Sequence, residues 1–303
     1  MEHLRDRRIW VTGAGGFVGR HLVPALEQAG AQVTPTDDDL DIRDAALVAA
    51  SLRRLQPHAI VHLAARSSVA SSLQDAEGVY EVNFLGARAL LTGLAQHCPA
   101  ARILLVGSGV VYGSAEPGSA PFDESAPLRP DSPYAWTKAC ADLLGGSYAA
   151  QGLAVLRVRP FNHTGAGQSD SFIASAFAHQ LAEIEAGRHE PVLRVGNLDS
   201  VRDFLAVEDV VDAYLRLLDP QVQPDVYNVA SGRGTCAREI LDRLIEASTA
   251  SPRVELDPGR HRPTDVAVGS AARLAAATGW KPRHDVSHAL QAVLDHWRAA
   301  STA

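Results

Sequence analysis

The sequence predicts an α/β fold: a doubly wound parallel sheet with a smaller C-terminal region. Short apolar runs alternate four times with amphipathic segments in the first half of the chain, which is the pattern of strands and helices in such a sheet. Several runs are apolar nearly throughout, as at residues 59–65 and 102–108, which is typical of parallel strands that are covered on both faces. A glycine-rich turn directly after the first run is the third indication.

The composition is that of a soluble globular enzyme. The 303 residues are 46% hydrophobic and 21% charged, and the formal charge of -7 argues against a nucleic-acid partner, because phosphate contacts need clustered Lys and Arg. No apolar run approaches the length of a membrane span, and Met1-Glu-His-Leu-Arg lacks the apolar core of a signal peptide. Because Cys98, Cys140 and Cys236 lie far apart, we predict reduced thiols in a cytoplasmic protein and no metal site.

The first strand, turn and helix are predicted to bind an anion. An apolar run at residues 9–11 leads through glycines into an amphipathic segment at residues 17–28. One glycine of such a turn permits a conformation that a Cβ blocks, one lets the backbone approach a pyrophosphate, and one lets helix and strand pack closely. The spacing is Gly-x-x-Gly-x-x-Gly rather than Gly-x-Gly-x-x-Gly. We predict dinucleotide contacts from Gly13, Gly16, Phe17, Val18 and Gly19, with an ordinary glycine-rich turn as the alternative.

The second strand, at residues 31–36, ends in three aspartates. A carboxylate about 20 residues after the glycine turn can accept hydrogen bonds from the adenosine ribose hydroxyls, which favours NAD over NADP. Asp37 is the candidate, and Asp38 beside it would repel a 2′-phosphate. A solvated acidic turn is the alternative. Because Arg43 is a candidate partner for a 2′-phosphate, the prediction is NAD(H) or NADP(H), with a mild preference for NAD(H).

The later elements first keep the alternation of strand and helix and then lose it. We predict a helix to residue 55, a strand at 59–65, helical segments at about 73–97, a strand at 102–108, a proline-rich loop at 117–133, a helix from Tyr134 and a strand at 153–160. A loop at 165–170, a helix at 172–187 and short strands at 192–196, 226–230 and 254–256 follow. We therefore assign residues 1–165 to a dinucleotide-binding Rossmann domain. Residues 166–303 are assigned mainly to a substrate-binding region, interleaved with late sheet elements at about 200–230.

The segment Tyr134-Ala-Trp-Thr-Lys138 places a phenol and an ammonium group on one helical face. A free tyrosine has a pKa of about 10 and is a poor acid or base at neutrality, but a nearby cation stabilises the phenolate and lowers that pKa. An exposed pair on a surface helix is the alternative. Ser108 ends a buried strand at the carboxyl edge of the sheet, where ligands of such folds bind. Its hydroxyl can donate a hydrogen bond to a carbonyl oxygen that is being reduced.

The glycine turn, the segment Ser108-Gly-Val-Val-Tyr-Gly113 and the Tyr-x-x-x-Lys pair together resemble the extended short-chain dehydrogenases/reductases that act on nucleotide sugars. The similarity runs over essentially the whole chain. The resemblance implies that Ser108, Tyr134 and Lys138 form the catalytic set, that the lysine also binds the nicotinamide ribose, and that the tyrosine shuttles a proton. It further implies a homodimer through a helical bundle that includes the Tyr134 helix, and cofactor contacts at Asp41, Ile42, Leu63, Ala64 and Ala65.

Four segments of the second half resemble the reductases of GDP-4-keto-6-deoxy-mannose within that family. They are Arg159-Pro-Phe-Asn-His-Thr-Gly-Ala-Gly-Gln168, Val201-Arg-Asp-Phe204, Val226-Tyr-Asn-Val-Ala-Ser-Gly232 and Thr278-Gly-Trp-Lys-Pro282. The resemblance implies that Asn162, Arg202 and Arg262 hold the nucleotide diphosphate and its neighbours. Two arginines suit a diphosphate because guanidinium groups make paired, charge-assisted hydrogen bonds. Ion pairs of these arginines with Asp203 or Asp265 are the alternative.

One position departs from the pattern of the family. The 4,6-dehydratases, and usually the reductases, carry an acid two positions after the catalytic serine, where this chain has Val110. Eliminating water from a sugar needs such a proton carrier, so a dehydratase is disfavoured. The segment Gly-Val-Val-Tyr-Gly is more similar to the 4-epimerases, which keeps that activity open.

The sequence therefore predicts reduction of the C4 ketone of a nucleotide-linked 4-keto-6-deoxyhexose, GDP-linked by preference, with hydride from NAD(P)H. A nucleotide-sugar 4-epimerase of the UDP-glucose/galactose type is the alternative. It would use the same residues, with tightly bound NAD+ and with Tyr134 acting first as a base. A non-catalytic NAD(P)-sensing module on the same fold is the third hypothesis. The joint presence of Ser108, Tyr134 and Lys138 speaks against it.

Overall fold

The computed structural model of the protein describes residues 1–67, 72–260 and 264–302. The helices are α1 (Phe17–Gln28), α2 (Ala45–Leu55), α3 (Ala76–Tyr80), α4 (Ala87–His97), α5 (Pro133–Ala150), α6 (Ile173–Glu185), α7 (Val207–Leu217), α8 (Ala237–Ala247), α9 (Ala272–Thr278) and α10 (Val286–Thr302). A π-helical segment, Glu81–Gly86, joins α3 to α4. None of the helices in the described ranges is long and apolar enough to cross a membrane.

The strands lie between these helices along the chain. They are β1 (Arg8–Thr12), β2 (Gln32–Thr36), β3 (Ala59–His62), β4 (Arg102–Val106), β5 (Val155–Pro160), β6 (Asn162–Thr164), β7 (Val192–Val195), β8 (Val201–Ala206), β9 (Val226–Val229), β10 (Gly234–Cys236), β11 (Arg253–Leu256) and β12 (Val266–Ala267). In the part of the chain that the structure describes, β2-β1-β3-β4-β5-β9 form one sheet in that order. Each neighbouring pair is parallel, which confirms the predicted doubly wound parallel sheet.

The strand order of this main sheet reverses between β1 and β3. The chain runs from β1 outward to β2 and then returns to place β3 on the other side of β1. Such a switch point opens a crevice beyond the carboxyl ends of the strands, where open α/β sheets bind their ligands.

Apolar residues are buried on both faces of the main sheet, because successive residues of a strand point to opposite sides. On β1, Trp10 belongs to the buried cluster that includes residues of α2 and α4, whereas Val11 belongs to the cluster with α1 and α7. On β4, Ile103 belongs to the cluster with α2 and α4, and Leu104 belongs to the cluster with α1 and α7. This double coverage explains why the sequence of each strand is a nearly continuous apolar run.

A smaller group of elements follows β5 along the chain. Strand β8 pairs with β6, β10 and β12, and β7 pairs with β11 in a two-stranded ribbon. Helices α6, α8 and α10 pack on one another around Leu181, Leu241 and Val293, which are fully buried. β9 also comes from this half of the chain, although it pairs with β5 in the main sheet. The division of the chain near residue 165 stays a prediction.

Helices α7, α8, α9 and α10 are not among the elements predicted from the sequence. The apolar residues of α7 do follow a helical period, with Val207, Val210, Val211 and Tyr214 all buried. In this half, however, short strands and loops interrupt the regular alternation on which the sequence argument depends. The strands predicted at 59–65 and 102–108 also end earlier, at His62 and Val106, so their last residues lie in the loops at the edge of the sheet.

Candidate active site

The predicted cofactor and catalytic residues of the first half follow successive strands of the main sheet. The glycine turn follows β1, Asp37 follows β2, residues 63–65 follow β3, and Ser108 comes soon after β4. Because the strands are parallel, their carboxyl ends lie at one edge. The structure therefore brings these residues together at the switch point.

The glycine turn closes tightly against the end of β3. Gly13 has φ +71°, and a Cβ built on it would lie 2.5 Å from the backbone nitrogen of Ala64. A Cβ on Gly19 would overlap the carbonyl oxygen of Ala14, so α1 packs on its own turn at a distance that only glycine permits. Gly16 is the N-cap of α1, where the first amides lack intrahelical partners and the helix dipole favours an anion. The turn has the shape and polarity of a diphosphate cradle.

The carboxylate of Asp37 lies directly over this turn. A Cβ built on Gly15 would overlap the Asp37 carboxylate, although Asp37 itself is exposed to solvent. Arg43, the candidate partner for a 2′-phosphate, bonds two other carboxylates: its Nε and Nη2 donate to Asp41 at 2.9 and 2.8 Å, and its Nη1 donates to Glu81 at 2.9 Å. These hydrogen bonds lower the pKa of Asp41. A carboxylate rather than a guanidinium group therefore borders the glycine turn.

The other predicted cofactor positions differ in exposure. Ile42 is buried, and its side chain packs against Gly86 at the end of the π-helical segment. Leu63, Ala64 and Ala65 are half-buried in the loop after β3. Phe17, the first residue of α1, stacks on His163 with 6.0 Å between ring centroids. This stack links the glycine turn to β6.

Ser108 begins the short 3-10 turn Gly109–Tyr112 after β4. Its Oγ accepts a hydrogen bond from the amide of Val110 at 3.3 Å. A hydroxyl that accepts this bond keeps its own hydrogen for another acceptor. Val110 is half-buried, and its isopropyl group offers no proton at the position where the resemblance to the dehydratases and reductases leads us to expect an acid.

Tyr134 lies in the first turn of α5, and two residues fix where that helix starts. The Oγ of Ser132 accepts from the amide of Ala135 at 3.3 Å, and Pro133 takes the first helical position, where no N–H is needed. Burial raises the pKa of the Tyr134 phenol to about 12, and a hydrogen bond with Ser108 acts in the opposite direction. The sequence predicts a lowered pKa instead, because it shows the nearby cation but not the depth of burial. Because burial raises this pKa, the Tyr134 phenol keeps its proton at neutral pH.

Lys138 lies one turn further along the same face of α5. Its Nζ donates to the carbonyl oxygen of Val106, the last residue of β4, at 2.9 Å. Burial lowers the pKa of Lys138 to about 8, so the ammonium group titrates close to neutrality. His62 at the end of β3 is also buried. Burial and then the charge of Lys138 lower its pKa to about 3, so it is neutral where it bonds the hydroxyl of Thr12 at 2.8 Å.

Two of the three predicted substrate residues lie on neighbouring strands. Asn162 begins β6, which pairs in parallel with β8, the strand of Arg202. Arg202 forms an ion pair with Asp265, which is the alternative role that the sequence left open. Burial lowers the pKa of Arg202 to about 10, and the charge of Asp131, next to the start of α5, raises it. The third, Arg262, lies outside the described residues.

Asp203, the other aspartate that the sequence offers as an ion-pair partner, binds groups of the loops after β9 and β12 instead. Its carboxylate accepts hydrogen bonds from the amide and hydroxyl of Ser231 at 2.8 and 2.6 Å and from the amide of Gly232 at 2.9 Å. A further bond of 3.2 Å comes from the amide of Gly269. These contacts hold together the loops after β9 and β12, which is a structural role.

A buried polar network beside the site is not indicated by the sequence pattern. It joins helix α5 and the Ser108 turn to the strands β5 and β9. Tyr112, Arg159 and Asn228 lie in segments that carry the family resemblance, and Asp142 is a charged residue four positions after Lys138 on the same helical face. The buried members of this network are Tyr112, Asp142, Arg159 and Asn228.

Known proteins resemble this chain over nearly its whole length. The chain is 35% identical over 298 residues to the GDP-6-deoxy-D-mannose reductase of Pseudomonas aeruginosa, and the match covers 97% of this chain and 98% of the reductase. The solved structure of RMD from Pseudomonas aeruginosa complexed with NADPH matches with a TM-score of 0.88 and 34% identity over 97% of this chain and 98% of that one. The UDP-glucose 4-epimerase of Thermus thermophilus in complex with NAD matches with a TM-score of 0.87 and 29% identity, covering 97% and 99% of the two chains.

The family comparison agrees with the fold and with the geometry of the site. The matched segment, residues 9–230, begins in β1 and extends just past β9. It therefore contains the main sheet, the glycine turn and the residues Ser108, Tyr134 and Lys138. The chain belongs to the NAD dependent epimerase/dehydratase family.

Proposed function

We propose that this protein reduces the C4 ketone of a nucleotide-linked 4-keto-6-deoxyhexose, preferably GDP-4-keto-6-deoxy-mannose, with NADH or NADPH as the reductant. The observation that carries the proposal is the 35% identity to a GDP-6-deoxy-D-mannose reductase over nearly the full length of both chains. The contact between Ser108 and Tyr134 and the position of Lys138 on α5 supply the groups that the reaction needs.

The switch-point edge fits a dinucleotide. The close approach of Gly13 to Ala64 leaves a cradle that a Cβ would fill, and the first amides of α1 point toward an anion placed there. Asp37 stands over the turn as a partner for ribose hydroxyls. When bound, the reduced nicotinamide ring supplies the hydride. The proposed cofactor residues are Gly13, Gly16, Phe17, Val18, Gly19, Asp37, Asp41, Ile42, Leu63, Ala64, Ala65, Tyr134 and Lys138.

Three side chains act on the ketone. Ser108 donates a hydrogen bond to the carbonyl oxygen and orients it, since its Oγ already accepts from the Val110 amide. Tyr134 gives its phenolic proton to the alkoxide that forms. Lys138 places a positive charge one turn away and stabilises the phenolate that is left. We propose that Asn162, Arg202 and Arg262 hold the nucleotide diphosphate.

Tyr134 has a different first role in the two candidate activities. A reductase needs a proton donor first, whereas an epimerase that oxidises its substrate needs a base first. Burial raises the pKa of Tyr134 to about 12, so the phenol is protonated at neutral pH and suits the donor role. Val110 and the 29% identity to a UDP-glucose 4-epimerase structure keep the epimerase as the second candidate.

The first test follows nicotinamide absorbance. Purified protein is mixed with GDP-4-keto-6-deoxy-mannose and either NADH or NADPH in separate cuvettes. Steady oxidation supports the reductase. If the cofactor is not oxidised, and the purified protein carries bound NAD+ and interconverts UDP-glucose and UDP-galactose, the protein is the epimerase.

The same cuvettes compare the two cofactors. We propose a modest preference for NADH, because the Asp37 carboxylate borders the glycine turn and Arg43 is engaged by Asp41 and Glu81. A higher kcat/KM with NADPH would contradict this preference and leave the reductase assignment intact.

The rate of ketone reduction should depend on the charge of Lys138. Burial lowers the pKa of Lys138 to about 8, whereas burial raises that of Tyr134 to about 12. As the pH rises through about 8, the ammonium group loses its proton while the phenol keeps its own, and the cation that stabilises the forming phenolate disappears. We expect kcat to fall by up to tenfold per pH unit above that point.

The control for this prediction is Lys138→Arg, whose guanidinium group stays charged. In this variant the alkaline fall should vanish, although its overall rate is lower. The chain has two lysines, Lys138 and Lys281, so carbon NMR of labelled lysine can follow the titration of Lys138 directly. A kcat that rises between about pH 8 and 10 in the unaltered protein would contradict the assignment.

We propose a homodimer that forms through α5. Trp136 and Leu143 lie two helical turns apart on this helix, and their side chains are 58% and 62% exposed. Leu143→Arg places a charge in this face and should give a monomer by light scattering. Leu47 of α2 is 48% exposed, and Leu47→Arg is the matched control that should remain a dimer. A dimeric Leu143→Arg variant would contradict the proposed interface.

We also propose that the protein works in the cytoplasm, since Cys98, Cys140 and Cys236 are all free thiols.

A further inference from the structure

Four buried side chains link the two segments that carry the catalytic groups. Arg159 of β5 makes a two-pronged pair with Asp142 of α5, its Nε and Nη2 each donating at 2.8 Å. Its Nη1 donates to the hydroxyl of Tyr112 at 2.8 Å, and that hydroxyl donates to the side-chain oxygen of Asn228 at 2.7 Å. The guanidinium group also lies 5.1 Å from the centre of the Tyr112 ring.

The ends of this network coincide with the catalytic segments. Asp142 follows Lys138 by four residues and Tyr134 by eight, so all three lie on one face of α5. Tyr112 closes the 3-10 turn that Ser108 opens. β5, which carries Arg159, is the strand next to β4 in the sheet. The network therefore spans from the helix of the proton donor to the turn of the orienting hydroxyl.

The cost of burying these groups argues that stability alone does not explain them. Asp142 is 3% exposed and Arg159 is 4% exposed, and a buried ion pair gives little net stability over a well-packed apolar set. What such a pair does provide is fixed geometry, because the guanidinium fork binds its carboxylate in one orientation.

We propose that the network of Tyr112, Asp142, Arg159 and Asn228, here the clamp, is a positioning device that holds the Ser108 hydroxyl at the distance from the Tyr134 phenol that ketone reduction needs. This inference rests on the proposed function. The clamp residues act through Ser108 and Tyr134 and do not touch the substrate. A displacement of about 1 Å between catalytic groups can cost up to about a hundredfold in rate.

The test is Tyr112→Phe, which removes one hydroxyl and keeps the ring that stacks on Phe122 at 5.1 Å. The matched control is Tyr227→Phe on β9, because Tyr227 is also buried and its hydroxyl also donates a hydrogen bond, to the carbonyl of Gln223 at 2.8 Å. For Tyr112→Phe we expect kcat to fall about tenfold or more with KM within about twofold, and the control should keep its kcat. A second variant, Arg159→Lys, retains the charge but loses the two-pronged contact with Asp142. It should show the same fall in kcat with little change in KM.

Lysine NMR provides a readout that does not need activity. Tyr112→Phe should move the titration of Lys138 toward the pKa of an exposed lysine, because a loosened α5 admits water, and Tyr227→Phe should leave it in place. If both tyrosine variants lose the same fraction of kcat and leave the Lys138 titration unchanged, the clamp is only structural and the inference fails. If the unaltered protein does not reduce the ketone and only Tyr112→Phe shifts the titration, the proposed function fails, whereas the clamp is still shown to fix the position of α5.

Discussion

Tyr134→Phe is expected to lower kcat for ketone reduction by about 10³-fold, because the variant lacks the proton that the alkoxide takes. The ring that packs in the buried first turn of α5 is retained, so the fold and the KM for cofactor should change little. Burial raises the pKa of the phenol to about 12, so the unaltered protein carries this proton at neutral pH. Stopped-flow and steady-state absorbance of the nicotinamide measure the effect.

Tyr148→Phe on the same helix is the control for this variant. The hydroxyl of Tyr148 bonds that of Thr92 at 2.8 Å, at the far end of α5 from the site. This variant should keep its kcat. Activity of Tyr134→Phe within about tenfold of the unaltered protein would show that another group supplies the proton.

Gly13→Ala is expected to weaken cofactor binding by at least tenfold and to lower the free energy of unfolding by about 2–4 kcal/mol. The residue has φ +71°, which is strained for alanine, and the added Cβ would meet the backbone of Ala64 at 2.5 Å. Backbone atoms have no rotamer to change, so the glycine turn and the end of β3 must move apart. Those two segments form the proposed diphosphate cradle, so binding and stability should fall together.

Gly118→Ala is the control that separates the strain of a positive φ from the clash of the added Cβ. Gly118 has φ +83°, but no atom lies within 4 Å of the place where its Cβ would be, so this variant carries the backbone strain without the clash. It should cost about 1 kcal/mol and leave cofactor affinity unchanged. Chemical denaturation measures stability, and fluorescence titration with NADH or NADPH measures affinity. Equal effects of the two substitutions would contradict the close packing of Gly13 on β3.

The parts of the site that the sequence predicts involve residues that lie close to one another along the chain. The glycine turn follows its strand at once, and Tyr134 and Lys138 are one helical turn apart, so periodicity alone places them on one face. Ser108 comes to the same edge because parallel strands end together. These inferences need no knowledge of which distant residues touch, and the resemblance to the family agrees with them.

The parts that the sequence pattern misses depend on contacts between distant residues. Arg159 meets Tyr112 across 47 positions, and Tyr112 meets Asn228 across 116, and no spacing rule reaches so far. The ion pair of Arg202 with Asp265 is one of two pairings that the sequence allows. Burial is likewise invisible in the sequence, and it is burial that raises the pKa of Tyr134 where the neighbouring cation predicts a lowered one.

The most direct test of the central claim traces the hydride. GDP-4-keto-6-deoxy-mannose is incubated with the protein and with NADH or NADPH deuterated at C4 of the nicotinamide, and the sugar product is examined by mass spectrometry and NMR. A reductase transfers the label to C4 of the sugar, with one cofactor oxidised for each sugar reduced. Recovery of the unreduced ketone, with no label in the sugar and no cofactor oxidised, would contradict the account, and interconversion of UDP-glucose and UDP-galactose by the same protein would then assign the chain to the epimerases.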